Sequence, residues 1–588
     1  MTIAYAVELA EPQAHIYRVS VTIPTPMEEQ QVFSLPTWVP GSYMIRDMAG
    51  HIVSLKALGD DRVLPVAKID KTTWRVSTRG LSGELTVIYE VFAQDPSVRL
   101  AYLDNQRAFF NPSSLLLCPL GFEKEPMTID FIKNSSPTYK GWYLATGLKR
   151  DKATKRWRFG RYHADNYESL IDCPVEMGPF KTLTFKAHGV RHDIVLTGHV
   201  PAFDEERLVA DLKVACEHTI ELFDPKTKKA PFKDYTFFLN LTTSNYGGLE
   251  HANSTALIAS FYDLPYADTA KDDKGYQSLL TLFVHEYFHA WWVKRVKPAM
   301  FVPYDLSRET YTTLLWVFEG FTSFYDEKIV RDAGLVSPDA YARALGDSLT
   351  QHLSCTARYR QSLAESSFDA WIKYYKPDGN RPNSVVSYYV KGGLVAMALD
   401  AEIRRLSKNE RSLDDVLRYA YDQYLEAGVD YAGLDEDFIG ELIWEATGVD
   451  LSEQLQAWVY GCLDPDYAQV LKTMGMTMKA ESLPFARARL GVSLRTEGTE
   501  AVVTQVFDGT AAQVAGLAAG DRLVALDNVR IEAGQLEKML SRVPVDEPVS
   551  LYVFRDNILL PLVIVMGEAR KDKVVVRLKK QVDKKARQ

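Results

Sequence analysis

The chain has 588 residues, which is too many for one hydrophobic core and predicts about three or four domains. Its apolar fraction of 46% and charged fraction of 25% are those of an ordinary soluble globular protein. The formal net charge of −9 argues against nucleic acid or an anionic membrane as a partner, and no segment has the roughly 18 apolar residues that a membrane-spanning helix needs.

The cysteines and the N-terminus indicate a compartment. Five cysteines lie far apart without a CxxC pair, which is typical of reduced, buried thiols. The first residues include acidic side chains and lack the apolar stretch of a signal peptide. We therefore expect a cytoplasmic protein.

Residues 1–180 have the pattern of an antiparallel β domain. Short runs of alternating apolar and polar residues, such as 16–23 and 85–92, are separated by turn clusters of Pro, Gly, Asp and Asn. Alternation with a period of two places one face of each strand on a core.

Residues 181–480 are predicted to form a mostly helical domain. Apolar residues recur every three or four positions in 205–223, which predicts an amphipathic helix, and a strand follows at 235–241. Long helical patterns then cover 279–296, 310–331, 387–406 and 413–426. Together with the β regions on either side, this predicts a multidomain α+β protein.

Residues 481–574 return to short strands, at 490–494 and 501–506, followed by a small-residue helix at 511–515 and the segment AGLAAGDRLVALD. This order resembles a PDZ domain of the type found in bacterial proteases. The resemblance implies that Leu490, Gly491 and Val492 form a loop that receives a peptide C-terminal carboxylate. The alternative is a small β-rich domain that binds nothing. Residues 575–588 are predicted to be a solvated basic tail.

A candidate metal site lies in the segment His-Glu-Tyr-Phe-His. His285 and His289 are four residues apart in a helical pattern, so both imidazoles leave the same face and can reach one Zn²⁺. Glu286 lies at the edge of that site, where its carboxylate can take a proton from water activated by the metal. Both flanks are apolar, and unpaired imidazoles would be costly there. We expect one zinc ion per chain; the alternative is a pair of half-buried helix histidines.

Zinc needs a third protein ligand and an open position for water. Glu319 is the best candidate, because it is the only acidic residue inside a long apolar helical stretch. A nearby cation would remove the cost of burying its carboxylate. The alternative is a buried Lys or Arg that pairs with Glu319.

HExxH with a downstream Glu in a helix resembles the gluzincin metallopeptidases. Here 29 residues separate His289 from Glu319, more than in the best-known zinc aminopeptidases. This spacing, together with the segments at 38–43, 170–174 and 247–251 and the PDZ-like domain, resembles the glycyl aminopeptidase family. The resemblance covers nearly the whole chain and implies a thermolysin-like catalytic domain at 181–480.

The resemblance also implies a substrate-binding strand. Gly247, Gly248, Leu249, Glu250 and His251 match a segment whose glycines let the substrate backbone add as a strand. Glu250 is then expected to bind the free α-ammonium group of the substrate. Related enzymes have Asn where this chain has His251, so the role of that residue stays open. Without the resemblance, the segment would be a turn with an exposed Glu.

The segment Tyr-Val-Lys-Gly that begins at Tyr389 resembles the one that carries the catalytic tyrosine of such enzymes. A phenol that donates to the oxyanion of a tetrahedral intermediate contributes a few kcal/mol. The choice of Tyr389 over the adjacent Tyr388 follows from the family resemblance. A core tyrosine without a catalytic role is the alternative.

These residues predict a zinc aminopeptidase that acts on peptides with a free N-terminus. The family resemblance implies a preference for a small first residue such as Gly or Ala. A zinc endopeptidase with the same metal site, or a PDZ-bearing binding protein with an inactive peptidase domain, is the alternative. The PDZ-like domain could capture a peptide C-terminus or pack on the catalytic domain, and packing is favoured because an exopeptidase gains little from holding a distant carboxylate.

Overall fold

The structure is a computed structural model that describes residues 1–134 and 136–579. This part of the chain forms two compact units. The first comprises Met1–Thr310, Asp332–Leu335 and Leu417–Asp435; the second comprises Tyr311–Arg331, Val336–Val416 and the described residues from Glu436 onward. All five cysteines are free thiols. None of the described helices is long and apolar enough to cross a membrane.

The first unit begins with strands that alternate buried and accessible side chains, as predicted. The elements are, in chain order, β1 (Ile3–Glu11), β2 (Ile16–Ile23), β3 (Gln30–Ser34), β4 (Ile52–Gly59), β5 (Arg62–Leu64), β6 (Val66–Lys68), β7 (Thr73–Ser77), β8 (Leu85–Phe92), β9 (Ala101–Leu103), β10 (Ala108–Phe110), β11 (Cys118–Pro119), β12 (Met127–Lys133), β13 (Tyr143–Thr146), β14 (Lys149–Arg150), β15 (Gly160–Ala164), the helix α1 (Tyr167–Ile171) and β16 (Val175–Gly178).

These strands form three sheets. The largest has the order β14-β15-β12-β1-β2-β8-β4-β5, and the others have the orders β13-β16-β10-β9 and β11-β3-β7-β6. Pairing is antiparallel except between β1 and β12, which run parallel. The inward-facing side chains of these sheets form one continuous hydrophobic core.

A five-stranded sheet follows and carries part of the candidate site. Its elements are β17 (Lys181–Ala187), β18 (Val190–Gly198), the helix α2 (Glu205–Phe223), β19 (Asp234–Thr242), β20 (Gly247–Glu250), β21 (Ser254–Ser260) and the helix α3 (Lys274–Phe288). The strand order is β17-β18-β19-β21-β20, so β20 lies at an edge, antiparallel to β21. The ring of Phe237 in β19 packs 5.1 Å from that of Phe283 in α3, which places α3 against the sheet.

Helix α2 spans the predicted residues, and Asp204 caps its first turn by accepting a hydrogen bond from the N–H of Arg207. The helix predicted at 279–296 is shorter, because α3 ends at Phe288. Arg295 donates to the carbonyl oxygen of Ala290, which a continuing helix would use, and also bonds the carbonyls of Ala252 and Pro231. The bond to Ala290 takes the place of a helical one, whereas the bonds to Ala252 and Pro231 tie the chain after α3 to other segments.

From Tyr311 onward the chain is mostly helical. Its helices are α4 (Phe321–Asp332), α5 (Pro338–Leu353), α6 (Leu363–Phe368), α7 (Arg381–Ser384), α8 (Val390–Leu406), α9 (Leu413–Ala427), α10 (Ile439–Thr447), α11 (Ser452–Leu455) and α12 (Tyr467–Thr473). The helix predicted at 310–331 begins only at Trp316, with a π-helical turn (Trp316–Gly320) that leads directly into α4. The helix predicted from residue 387 begins at Val390.

The C-terminal region is again rich in β structure. Its elements are β22 (Met476–Glu481), β23 (Val492–Glu497), β24 (Glu500–Val506), α13 (Ala511–Val514), β25 (Arg522–Leu526), β26 (Val529–Arg530), α14 (Leu536–Leu540), β27 (Pro548–Arg555), β28 (Ile558–Val565) and β29 (Lys573–Leu578). One sheet has the order β23-β24-β25-β27-β28, with β26 paired to β25.

Strands β22 and β29 form a separate antiparallel ribbon. The ribbon packs on α5, where the N–H of Val574 donates to Oγ1 of Thr350 at 2.8 Å. Strand β29 extends into the predicted basic tail, which starts at residue 575, because the residues of β29 up to Leu578 pair with β22. Residues 580–588 of that tail lie outside the described residues.

Candidate active site

The two histidines of the HExxH motif lie at the C-terminal end of α3. Their ring centroids are 4.8 Å apart, so both imidazoles lie on one side of the helix, as the spacing predicts. Nδ1 of His289 is 2.9 Å from the carbonyl oxygen of Trp292. Since a carbonyl only accepts hydrogen bonds, the ring donates through Nδ1–H and keeps its lone pair on Nε2. This is the tautomer that a zinc-ligating histidine needs.

Two carboxylates lie beside His289. Glu250, Glu286 and His289 are all buried, and each offers a ligand atom within 4.8 Å of the others. Glu250 comes from the edge strand β20 and Glu286 from α3. The first unit therefore brings the predicted amine-binding carboxylate, the predicted base and one predicted metal ligand into a single cluster.

The glycines of β20 make this approach possible. A Cβ at Gly248 would overlap the carboxylate of Glu286, so glycine is needed there for space. Gly247 has open space around it but a φ of +155°, which side chains rarely adopt. Glycine is therefore required at both positions, for a steric reason at Gly248 and a conformational reason at Gly247.

A segment of the N-terminal β region covers Glu250. A Cβ at Gly41, whose φ is +93°, would overlap both carboxylate oxygens of Glu250. The segment is held by aromatic packing: Trp38 and Tyr43 contact the ring of Phe301 at centroid distances of 6.1 and 5.8 Å. In the sequence, residues 38–43 indicate only the family resemblance and do not predict a position at the site. The combination of a glycine with flanking aromatic residues was the available signal.

A mostly buried ion pair anchors the end of β20. Asp172 accepts from Lys294 at 2.6 Å, lies 3.1 Å from Nδ1 of His251, and accepts from the N–H of Ala252 at 2.9 Å. Burial alone would raise the pKa of Asp172, but Lys294 and then His251 outweigh it and hold that pKa well below its usual range. Burial likewise lowers the pKa of Lys294, and Asp172 more than reverses this. His251, whose role the sequence left open, thus contacts an anchoring carboxylate.

In the second unit, Glu319 lies in the π-helical turn before α4 and is 2% exposed. This turn crosses α8 so closely that a Cβ at Gly320 would stand 2.5 Å from Cα of Gly392. Only glycines permit that approach. π-Helical turns are frequent at functional sites.

The same crossing brings Tyr389 near Glu319. Burial, followed by the charge of Glu319, raises the pKa of Tyr389 well above its usual value, which keeps the phenol protonated and able to donate. Tyr388 is fully buried, whereas Tyr389 is partly accessible. The hydroxyl of Tyr375 lies 3.2 Å from that of Tyr389, a contact that sequence reasoning did not predict.

The predicted carboxylate loop of the PDZ-like domain follows a π-helical turn (Ala486–Leu490). Leu490 and Val492 are buried, and Gly491 has a φ of +87°. The N–H of Gly491 donates to the carbonyl oxygen of Ala486 at 2.9 Å. This donor is thus already engaged within the loop, and carboxylate binding there stays a prediction.

Comparison with known proteins gives the family. Residues 4–179 match the peptidase M61 N-terminal domain, residues 278–395 match the M61 glycyl aminopeptidase, and residues 488–564 match the PDZ domain. A solved structure of an aminopeptidase N family protein from Idiomarina loihiensis is 34% identical over 98% of each chain, with a TM-score of 0.93. The chain therefore belongs to the M61 glycyl aminopeptidase family and is a peptidase. The recognised family and the predicted fold class are confirmed.

More distant structures are also similar. An M1 zinc metallopeptidase from Deinococcus radiodurans is 13% identical over 79% of this chain and 94% of its own, with a TM-score of 0.46. Yeast LTA4 hydrolase in complex with bestatin is 12% identical over 79% of this chain and 68% of its own, also with a TM-score of 0.46. Comparison with curated proteins gives no match.

Proposed function

We propose that the protein is a zinc aminopeptidase that removes small residues from the N-terminus of peptides. The observation that carries this proposal is the cluster of Glu250, Glu286 and His289, whose ligand atoms all lie within 4.8 Å of one another. A metal ligand and a base alone would suit any zinc peptidase. A second buried carboxylate beside them supplies a partner for a substrate ammonium group, and that partner defines an exopeptidase.

The metal ligands in this proposal are His285, His289 and Glu319. The hydrogen bond from Nδ1–H of His289 to Trp292, which leaves Nε2 as the ligand atom, supports a zinc site. Two neutral imidazoles and one carboxylate are a common donor set for catalytic zinc. Bound zinc would supply a Lewis acid that lowers the pKa of water towards neutrality.

Glu286 acts as the base and then as the acid. Its carboxylate takes a proton from the attacking water and passes that proton to the departing amine. Tyr389 donates a hydrogen bond to the oxyanion that forms on the attacked carbonyl. An ordinary phenol is already protonated at neutral pH, and burial raises the pKa of Tyr389 further, so the proton needed for this bond is present.

The short separation of the carboxylates selects the first peptide bond. In an amino acid residue the nitrogen and the carbonyl carbon are about 2.5 Å apart, whereas each further residue of an extended chain adds about 3.3 Å. Oxygens of Glu250 and Glu286 within 4.8 Å of each other therefore suit one residue between the bound ammonium and the attacked carbonyl. The edge strand β20 would pair with the extended substrate.

The covering segment supports the proposed preference for small first residues. The backbone at Gly41 approaches Glu250 so closely that even a methyl group on Gly41 would overlap the carboxylate. Space beside the ammonium site is therefore limited. Glycine and alanine would fit there better than long or branched side chains.

Product analysis tests this function. The zinc-loaded protein is incubated with a peptide of about ten residues that begins with Gly, and the fragments are identified by mass spectrometry over time. Stepwise loss of single N-terminal residues is expected. Internal fragments without such shortening would refute the aminopeptidase and favour an endopeptidase.

A further inference from the structure

The side chain of Asn383 links three parts of the second unit. Its Oδ1 accepts from the N–H of Asp508 at 2.9 Å and from the hydroxyl of Thr356 at 3.0 Å. Its Nδ2 donates to the carbonyl oxygen of Val506 at 2.8 Å and to Oδ1 of Asn380 at 3.0 Å. Asn383 is only 5% exposed, so this amide makes four hydrogen bonds away from solvent. Val506 and Asp508 belong to the PDZ domain, which matches residues 488–564.

Neighbouring contacts join the same surfaces. Arg360 forms an ion pair with Asp508 of the PDZ domain. A Cβ at Gly379 would stand 2.8 Å from Cβ of Ala519, so glycine is needed for the PDZ domain to approach this closely. The PDZ domain therefore packs on the loop that contains Gly379 and Asn383.

That loop leads to the proposed catalytic tyrosine. It spans residues 374–389, includes the short helix α7 in which Asn383 lies, and is closed at both ends by packed tyrosines. The rings of Tyr374 and Tyr388 are 4.7 Å apart, and the hydroxyls of Tyr375 and Tyr389 are 3.2 Å apart. Asn383 lies in the middle of the loop. A shift of Asn383 would therefore be passed to both members of the Tyr375–Tyr389 pair.

We propose that Asn383 is a positioning residue, through which the PDZ domain holds the loop 374–389 and so fixes the hydroxyl of Tyr389. The PDZ domain then serves catalysis as a support for this loop. This inference rests on the proposed function, because it takes Tyr389 as the donor to the oxyanion. The engaged N–H of Gly491 agrees with a supporting role, since a loop that captures carboxylates needs such donors free.

The main test replaces Asn383 by Leu, which keeps the branched shape and the number of side-chain heavy atoms and removes all four hydrogen bonds. A small displacement of a catalytic group can lower a rate by about a hundredfold. We expect Asn383→Leu to lower kcat on Gly-p-nitroanilide by about 10- to 100-fold, with KM changed less than about twofold and zinc retained.

Thr350→Val is the matched control. It removes a hydrogen bond between α5 and the ribbon that flanks the PDZ domain, away from the loop. Its kcat should stay within about twofold of wild type. An equal fall of kcat in both variants would mean that any loss of packing around the PDZ domain lowers activity. That result would overturn the specific role of Asn383.

A double-mutant cycle shows whether Asn383 acts through Tyr389. In a Tyr389→Phe background, Asn383→Leu should cause no further fall of kcat. A fall of equal size in both backgrounds overturns the proposal. If Asn383→Leu does not fold, Arg360→Met takes its place in the cycle, because it removes the ion pair with Asp508 and the hydrogen bond to the carbonyl oxygen of Asn383. Unchanged kcat in Arg360→Met would then count against the proposal.

Amide hydrogen exchange separates this inference from the proposed function. Asn383→Leu should speed exchange across residues 374–389, and Thr350→Val should not. Unchanged exchange in Asn383→Leu overturns the inference even if the protein is an aminopeptidase. Full activity of Tyr389→Phe would instead remove the catalytic tyrosine from the proposed function, and the inference would fail with it.

Discussion

Gly248 lies directly against Glu286: any side chain at this position of β20 would overlap the carboxylate of the proposed base. The contact joins the edge strand to the metal-binding helix. It makes the position of the base depend on a residue 38 positions earlier in the chain. The absence of a side chain at Gly248 thus lets the edge strand lie directly against the carboxylate of Glu286.

Gly248→Ala should displace Glu286 and lower kcat on the order of a hundredfold, because a shift of about 1 Å in a catalytic group has effects of this size. Zinc content, measured by inductively coupled plasma mass spectrometry, should stay near one equivalent. Gly50→Ala is the control, since a Cβ at Gly50 meets no atom within 4 Å. Full activity of Gly248→Ala would show that catalysis does not require the carboxylate of Glu286 at its present position.

Glu319→Ala should reduce bound zinc to less than about half an equivalent after dialysis, because the two remaining histidines hold the ion weakly. Glu327→Ala, eight residues further along the same helical region, should keep its zinc. Equal zinc content in the two variants would exclude Glu319 as the third ligand.

Asp172→Asn should destabilise the protein by about 3 kcal/mol, the lower end of the usual cost of removing one partner from a buried ion pair, because the Asp172 side chain is still 18% exposed. Asp130→Asn breaks an exposed ion pair with Arg161 and should cost about 1 kcal/mol or less. Urea unfolding of both variants measures the difference. Similar small losses would show that the Asp172–Lys294 pair contributes little.

The same ion pair predicts a pH dependence. The folded pKa of Asp172 is depressed, so its contribution is present above the unfolded pKa of about 3.9 and is lost as the pH falls through the folded value. The folded pKa of Lys294 is raised, so its contribution is present below about pH 10.4 and is lost as the pH rises further. The stability gap between wild type and Asp172→Asn should therefore shrink below about pH 4 and above about pH 10. A gap that stays constant through both of these limits would contradict this origin.

The features that could be predicted from the sequence were local ones. The spacing of His285 and His289 within one helix is enough to bring their rings together, and alternation along the chain is enough to mark β1 and its neighbours. The end of α3 was not predictable, because the chain after it is held by bonds from Arg295 to the carbonyls of Ala252 and Pro231, which are distant in sequence.

The missed parts of the site are contacts between distant segments. Gly41 lies more than 200 positions before the Glu250 that it covers. Asp172, which contacts His251, lies directly after α1 and far from His251 in the sequence. In the sequence, Asn383 is an ordinary polar residue between predicted helices. Its proposed role follows only from its hydrogen bonds to Val506 and Asp508 in the structure. No periodic pattern carries such information, because periodicity reports only which face of an element is buried.

Binding of the free α-ammonium group of the substrate distinguishes the proposed aminopeptidase from an endopeptidase, and one comparison tests it. The zinc-loaded protein is assayed on Gly-p-nitroanilide and on the N-acetylated form of the same compound, with Glu250→Gln measured beside wild type. We expect cleavage of the free amine only, and a fall in kcat/KM of about 10- to 100-fold in Glu250→Gln, since a charge-assisted hydrogen bond is lost. Equal or faster cleavage of the acetylated compound by the wild-type protein would contradict the proposed aminopeptidase.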